Sequence, residues 1–125
     1  MHGLKFYIID LILMSNENYV EQVYFLTKKI PVGKVTTYGS ISKFLTLGSA
    51  RMVGWALKKS FTAENVPAHR VVNRKGELSG RNHFATPTLM QELLEKEGVE
   101  VKDNTVVSLS TYFWDPNLEL DDYFD

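Results

Sequence analysis

The chain of 125 residues contains no cysteine. That absence excludes disulfides, thiolate metal sites and any cysteine nucleophile. It fits a reducing compartment, so a cytoplasmic location is expected. Long hydrophobic runs are also missing. The longest, Phe6–Met14, is interrupted by Asp10 and is too short to span a bilayer. With only Lys5 ahead of it and no small-residue cleavage site, it does not read as a secretory signal. No membrane association is expected. No repeat, low-complexity tract or linker divides the sequence, and its length fits one domain with a modest core. The three histidines, His2, His69 and His83, form no ligand cluster, so no metal site and no cofactor are expected.

Charge is present, but unevenly. The net value is −1, yet eleven basic and only two acidic residues lie between Lys28 and Arg81. That segment carries +9, and the flanks together carry −10. A basic middle with acidic ends is the footprint of a polyanion-binding face. Plain solvated surface charge is the alternative.

The pattern of apolar residues predicts a mostly α domain with short strands. Asn16 or Asn18 can cap a first helix, with Asn18 and Glu21 as a capping box. Val20, Val23, Tyr24 and Thr27 share one face, and Pro31 and Gly33 end the helix. Thr37 can cap a short helix over Gly39–Leu45, with Ile41 and Leu45 inward. Thr46-Leu47-Gly48 forms a turn, and Ser49 caps a helix over Ala50–Lys59 that buries Val53, Ala56 and Leu57. Two short helices joined by such a turn describe a helix-turn-helix. An extended Val71-Val72 and a turn at 73–76 follow. Thr86 and Pro87 start a helix through Lys96 with Leu89, Leu93 and Leu94 inward, closed by Gly98. Val99–Val101 and Thr105–Leu109 read as a hairpin around Asp103-Asn104. Trp114-Asp115-Pro116 reads as a turn docking an indole. Three regions are expected: a variable extension over 1–15, a helix-turn-helix domain over 16–111, and an acidic aromatic tail over 112–125. Deleting 1–13 should leave folding and ligand binding intact.

Several ordered motifs together resemble the C-terminal, DNA-binding domain of O6-alkylguanine-DNA alkyltransferases. They are Pro31-Val-Gly-Lys-Val-Thr-Thr-Tyr-Gly39, Ala50-Arg51-Met-Val-Gly54, Pro67-Ala-His-Arg-Val-Val72, Gly76 and the Leu-Leu-Glu-Lys-Glu-Gly run ending at Gly98. The resemblance is closest to the alkyltransferase-like proteins, which lack the reactive cysteine. It runs from about Ile30 to Gly98 and does not include the family's separate N-terminal domain. It implies a winged helix-turn-helix-like domain of the alkyltransferase C-terminal type, docking in the minor groove of duplex DNA.

Residue roles follow by the same resemblance. Ala68 stands where active members carry the acceptor cysteine. His69 and Glu97 match the base and its orienter, so they are vestigial here, and no catalytic residue is expected. By itself a buried, hydrogen-bonded His69 holds the pocket floor, and Arg70 braces the fold. Arg51 matches the arginine that enters the base stack, offsetting part of the cost of flipping a base. Tyr38 matches the tyrosine lining the base pocket. Arg81 matches an arginine characteristic of alkyltransferase-like members, where a cation–π contact with the flipped base is implied. Thr36, Thr37 and Ser49 complete the implied DNA-contacting set. Ser60-Phe61 departs from the family's usual Asn-Pro, which puts the wing over Ser60–Val66 in question.

The implied function is a non-enzymatic monomeric sensor. It flips O6-alkylguanine into a pocket near Tyr38, Ala68 and Arg81 and hands it to nucleotide excision repair proteins. Two other readings stay open: an active alkyltransferase whose cysteine was replaced by alanine, and a helix-turn-helix transcription regulator.

Overall fold

The computed structural model describes residues 19–60 and 65–120. The capping residues Asn16 and Asn18 and the extension over 1–15 lie outside the described residues. The structure is mostly helical with short strands. Helix α1 spans Tyr19–Thr27. Its inward face is Val23, Leu26 and Thr27, continued by Ile30, with Val20 and Tyr24 only half-buried. The stripe is therefore rotated toward Leu26 relative to the sequence expectation. Thr27 can lie in it because its hydroxyl donates to the Val23 carbonyl at 2.7 Å, so that hydroxyl is not buried unpaired.

Helices α2 (Tyr38–Phe44) and α3 (Ala50–Lys58) form the helix-turn-helix. Thr37 caps α2 as expected, accepting from the Ser40 amide at 3.1 Å. Ser49 holds the cap position of α3 without a side-chain cap bond. The turn between them is set by Thr46, whose φ is 55°. A β-branched residue is unfavourable there, where glycine is the usual choice. The sequence places glycine two positions later, at Gly48. On α3, Val53, Ala56 and Leu57 are buried as expected, and the Tyr24 hydroxyl ties α1 to the Ala56 carbonyl at 2.9 Å.

Strands β1 (Thr36–Thr37) and β2 (Val71–Val72) pair in parallel, Thr36 with Val71 and Thr37 with Val72. Alternating side chains on a strand point to opposite faces, so this pair divides the core. Val71 packs with Val23, Leu26, Ile41, Leu45, Val53, Ala56 and Leu57. Val72 and Val35 join Leu78, Met90, Leu94, Val99, Val101 and Val106 on the other side.

Helix α4 is Leu89–Lys96, shorter at its start than the sequence pattern predicts. The Thr86 carbonyl accepts from the Leu89 amide, a tight turn over Pro87, and the Thr88 carbonyl accepts the first helical bond from Glu92. Met90 and Leu94 are the fully buried pair, whereas Leu89 and Leu93 are half-buried. Gly98, at φ +91°, ends α4 as expected. Its amide bonds to the Glu95 carbonyl and that of Val99 to the Leu94 carbonyl, the paired bonds of a Schellman cap.

The hairpin is confined to β3 (Val101–Lys102) and β4 (Thr105–Val106). Asp103 and Asn104 both have positive φ, the requirement of a two-residue type I′ turn. Leu109 begins helix α5 (Leu109–Tyr112) instead of extending the strand. Beyond it, Val35 exchanges backbone bonds with Tyr112 and Trp114. Asp115 caps helix α6 (Pro116–Glu119), accepting from the Asn117 amide at 2.9 Å. Trp114-Asp115-Pro116 is thus a helix start. Its indole does dock on the core, where Trp114 and Leu120 join the cluster around α1 and α3. Among the described residues no helix is long and apolar enough to cross a membrane.

Candidate nucleic-acid interface and base pocket

Helix α3 has two unlike faces. With Val53, Ala56 and Leu57 committed to the core, Arg51, Trp55, Lys58 and Lys59 are left outward, spaced one and two turns apart. That outward face forms one wall of an open cleft of about 450 Å³, within the usual size range of ligand sites. Helix α3 contributes Ala50, Arg51, Gly54, Trp55 and Lys58, and Tyr38 enters from the start of α2. The segment after β2 closes the cleft with Ser79, Gly80 and His83.

Behind the cleft lies a smaller cavity of about 20 Å³ that shares Tyr38, Gly54, Lys58, Gly80 and His83 and adds Leu57, Ala68 and Phe84. That volume admits about one water. Ala68 lines this inner space and not the outer cleft. Burial pushes the Tyr38 hydroxyl above its ordinary value of 10.0, opposed by a hydrogen bond to Ser79. It therefore stays protonated at neutral pH.

Ala68 opens a 3₁₀ turn over Ala68–Arg70 that runs directly into β2. The tight turn separates Ala68 from the two residues that follow it. Ala68 faces the inner cavity, while His69 and Arg70 both reach Glu97 at the end of α4. His69 Nε2 lies 2.8 Å from Glu97 Oε2. Arg70 donates from Nε and Nη2 to the same carboxylate at 2.8–3.2 Å, and its Nη1 donates to the Ile30 carbonyl at 2.8 Å. The Gly33 amide adds a bond to Glu97 Oε1 at 3.3 Å.

Burial raises the Glu97 pKa, but the bonds from Arg70, then His69 and Gly33, outweigh it and hold the carboxyl at about 2. Burial lowers the His69 pKa below its ordinary 6.5, and the Glu97 contact only partly offsets this. The arrangement is an ionised Arg70–Glu97 pair with a neutral His69 donating from Nε2. It bridges three segments: the loop after α1, the turn before β2, and the end of α4.

The remaining sequence-derived site residues are scattered. Tyr38, Arg51 and Ala68 converge on the two cavities. Thr37 caps α2 and lines neither cavity. Ser49 is exposed at the start of α3. Thr36 is wholly buried in the sheet, and its hydroxyl has no hydrogen-bond partner. Arg81 turns back to donate from Nη1 to the Leu78 carbonyl at 3.0 Å and lines neither described cavity. Its place is taken by Gly80, His83 and Phe84. Sequence reasoning passed over Trp55, Lys58, Ser79, Gly80 and His83. For Trp55 and Lys58 the signal was present: both lie on the polar side of a helix whose apolar side was already assigned. Among the described residues, no group of three or more His, Asp or Glu could hold a metal ion.

A helix-turn-helix with a cationic outer face, backed by a cavity behind its second helix, defines a nucleic-acid-binding domain. Residues 18–99 match the 6-O-methylguanine DNA methyltransferase, DNA binding domain, and the chain belongs to that family. It is 36% identical over 108 residues to alkyltransferase-like protein 1 of Schizosaccharomyces pombe, covering 82% of this chain and 100% of that protein. It is 34% identical over 101 residues to the DNA base-flipping protein of Vibrio parahaemolyticus, covering 80% and 99%. The crystal structure of S. pombe Atl1 in complex with damaged DNA containing O6-carboxymethylguanine superposes with a TM-score of 0.72 at 35% identity, covering 80% of this chain and 97% of that one.

Proposed function

We propose that this protein is a non-enzymatic DNA damage sensor that extrudes O6-alkylguanine from duplex DNA into the cleft and holds it there. One observation carries the reading. Ala68 lines the inner cavity beside a cleft lined by Tyr38 and Arg51, and the chain has no thiol to accept an alkyl group. His69 and Glu97 persist because they are structural: with Arg70 they join three segments of the fold. They have no acceptor to activate.

The remaining steps follow from that reading. The cationic face of α3 docks in the minor groove, and Arg51 enters the stack where the base has left. The bound lesion is then flagged for nucleotide excision repair proteins, because the protein cannot remove the alkyl group itself. Its place of action is the cytoplasm, on the nucleoid when bound to DNA.

The test is binding to matched duplexes carrying guanine or O6-methylguanine at one salt concentration, followed by methyl counting on protein and DNA. Tighter binding of the modified duplex with the methyl group left on the base is expected. Equal affinity for both duplexes, sequence preference in undamaged DNA, or methyl transfer to the protein would each overturn the reading.

A further inference from the structure

Trp55 occupies a position for which the core has no need. It lies on the outward face of α3 and is 48% exposed. It stands one turn after Arg51 and one turn before Lys58 and Lys59. Of the large hydrophobics left exposed among the described residues, Val32, Trp55, Phe113 and Leu118, it is the one that lines the cleft.

Its orientation is held from two directions. The Lys59 ammonium lies 3.4 Å from its ring centroid. The Tyr19 ring lies 6.4 Å away, tilted by 35°. Both contacts hold the side chain at the rim of the cleft, which it lines.

The cleft is walled by two aromatic rings and by bare backbone. Trp55 and Tyr38 both line it, and between them sits Gly54, where even an added Cβ would lie 3.9 Å from the Tyr38 ring. Gly80 leaves another wall bare. Trp55 borders the outer cleft only, and Ala68 borders the inner cavity only. The indole and Ala68 thus border two adjoining spaces that share Tyr38, Gly54, Lys58, Gly80 and His83.

Resting on the reading that the protein extrudes an alkylated guanine, we infer that Trp55 is a specificity-determining contact, its indole stacking against the extruded purine nucleotide at the cleft mouth. Every purine presents a π-face, so the contact is strong without being sequence-specific. It forms only when a nucleotide leaves the stack, so it favours lesions, which flip at lower cost than paired bases.

The full chain is titrated into fluorescein-labelled duplexes containing guanine or O6-methylguanine, reading both anisotropy and intrinsic tryptophan emission. Trp114, the other tryptophan, is buried in the core and serves as an internal control. Binding of the modified duplex is expected to quench emission in the unaltered protein and not in Trp55→Phe. Trp55→Ala should weaken binding of the modified duplex about tenfold or more, and of the plain duplex less than about threefold, in line with base–aromatic stacking. Trp55→Phe should stay within about threefold, because a smaller ring still stacks. Thermal melting of each variant identifies any that fails to fold, and Trp55→Phe then carries the comparison through its quenching. Absence of quenching in the unaltered protein, or equal losses on both duplexes with Trp55→Ala, would overturn the role of Trp55 while leaving the sensor reading intact. If the unaltered protein does not prefer the modified duplex, the sensor reading fails and this contact fails with it.

Discussion

The Tyr38 hydroxyl lies 3.0 Å from where a Cβ on Gly80 would sit. Gly80 has an ordinary backbone at φ −90°, so glycine is favoured here by space and not by conformation. The bare backbone lets the tyrosine lie across both cavities and bond to Ser79. Gly80→Ala is expected to fold with a loss of about 1 kcal/mol or less, since the tyrosine tip can shift by a few tenths of an ångström. Affinity for an O6-methylguanine duplex should nonetheless fall several-fold. Melting temperature and duplex titration separate the two effects.

Arg51 stands exposed at the start of α3, on the rim of the cleft. Arg51→Ala should weaken binding of the modified duplex by about 1 kcal/mol or more, the scale of a lost contribution to base flipping. Unchanged affinity would refute its insertion into the stack. Binding as a whole should fall as salt rises, because the exposed lysines around α3 displace counterions. A flat response between low and physiological salt would remove the polyanion argument.

Arg81 bonds to the Leu78 carbonyl and must release it to lie over a flipped base. A cation–π contact of about 0.5–2 kcal/mol can offset the loss of that bond. Arg81→Ala should therefore lower the ratio of modified to plain affinity more than it lowers affinity for plain duplex. Equal losses on both would count against the contact. Titrating the two duplexes side by side decides it.

The Arg70–Glu97–His69 cluster predicts an acid-labile fold. Glu97 is held at about 2 against an ordinary 4.5, which corresponds to about 3 kcal/mol of stability at neutral pH. A carboxyl lowered in the folded state stabilises above its unfolded pKa, and that stability is lost as pH falls from about 4.5 toward about 2. His69 is lowered too, so it stays neutral in the fold while the unfolded chain takes up a proton below about 6.5. Its contribution also declines on acidification, beginning near pH 6.5. Melting temperature should thus fall in two stages, and Glu97→Gln should remove the lower one. Arg70→Ala should cost about 3 kcal/mol or more, because it strands a largely buried carboxylate. Arg70→Lys should recover only part of that, since an ammonium cannot make the same forked contact.

Ala68→Cys would place a thiol at the inner cavity beside His69. Weak methyl transfer or none is expected, because the roughly 20 Å³ there cannot admit an alkylated base until the surrounding wall moves. Efficient dealkylation by this variant, measured by label on the protein, would show that the thiol was the only thing missing.

The helix-turn-helix, the cap at Thr37 and the stop at Gly98 were legible in the sequence. These are local: helical spacing, capping chemistry and a contiguous motif depend on neighbours within a few residues. The family resemblance also placed Tyr38 and Arg51 at a base site, and both line the cleft. Other features depend on long-range packing. Thr36 lies in the same motif as Tyr38, yet parallel pairing with Val71 buries it. Pairing across such a gap in sequence cannot be read from either strand alone. Arg81 is turned away by the 3₁₀ turn that carries it, so Gly80 and His83 line the cleft instead. Helix α4 starts at Leu89 because the turn over Pro87 closes first. The convergence of His69, Arg70 and Gly33 on one carboxylate, and of Trp55 and Tyr38 on one cleft, depends on how separate segments pack, and the order of residues along the chain does not encode that explicitly.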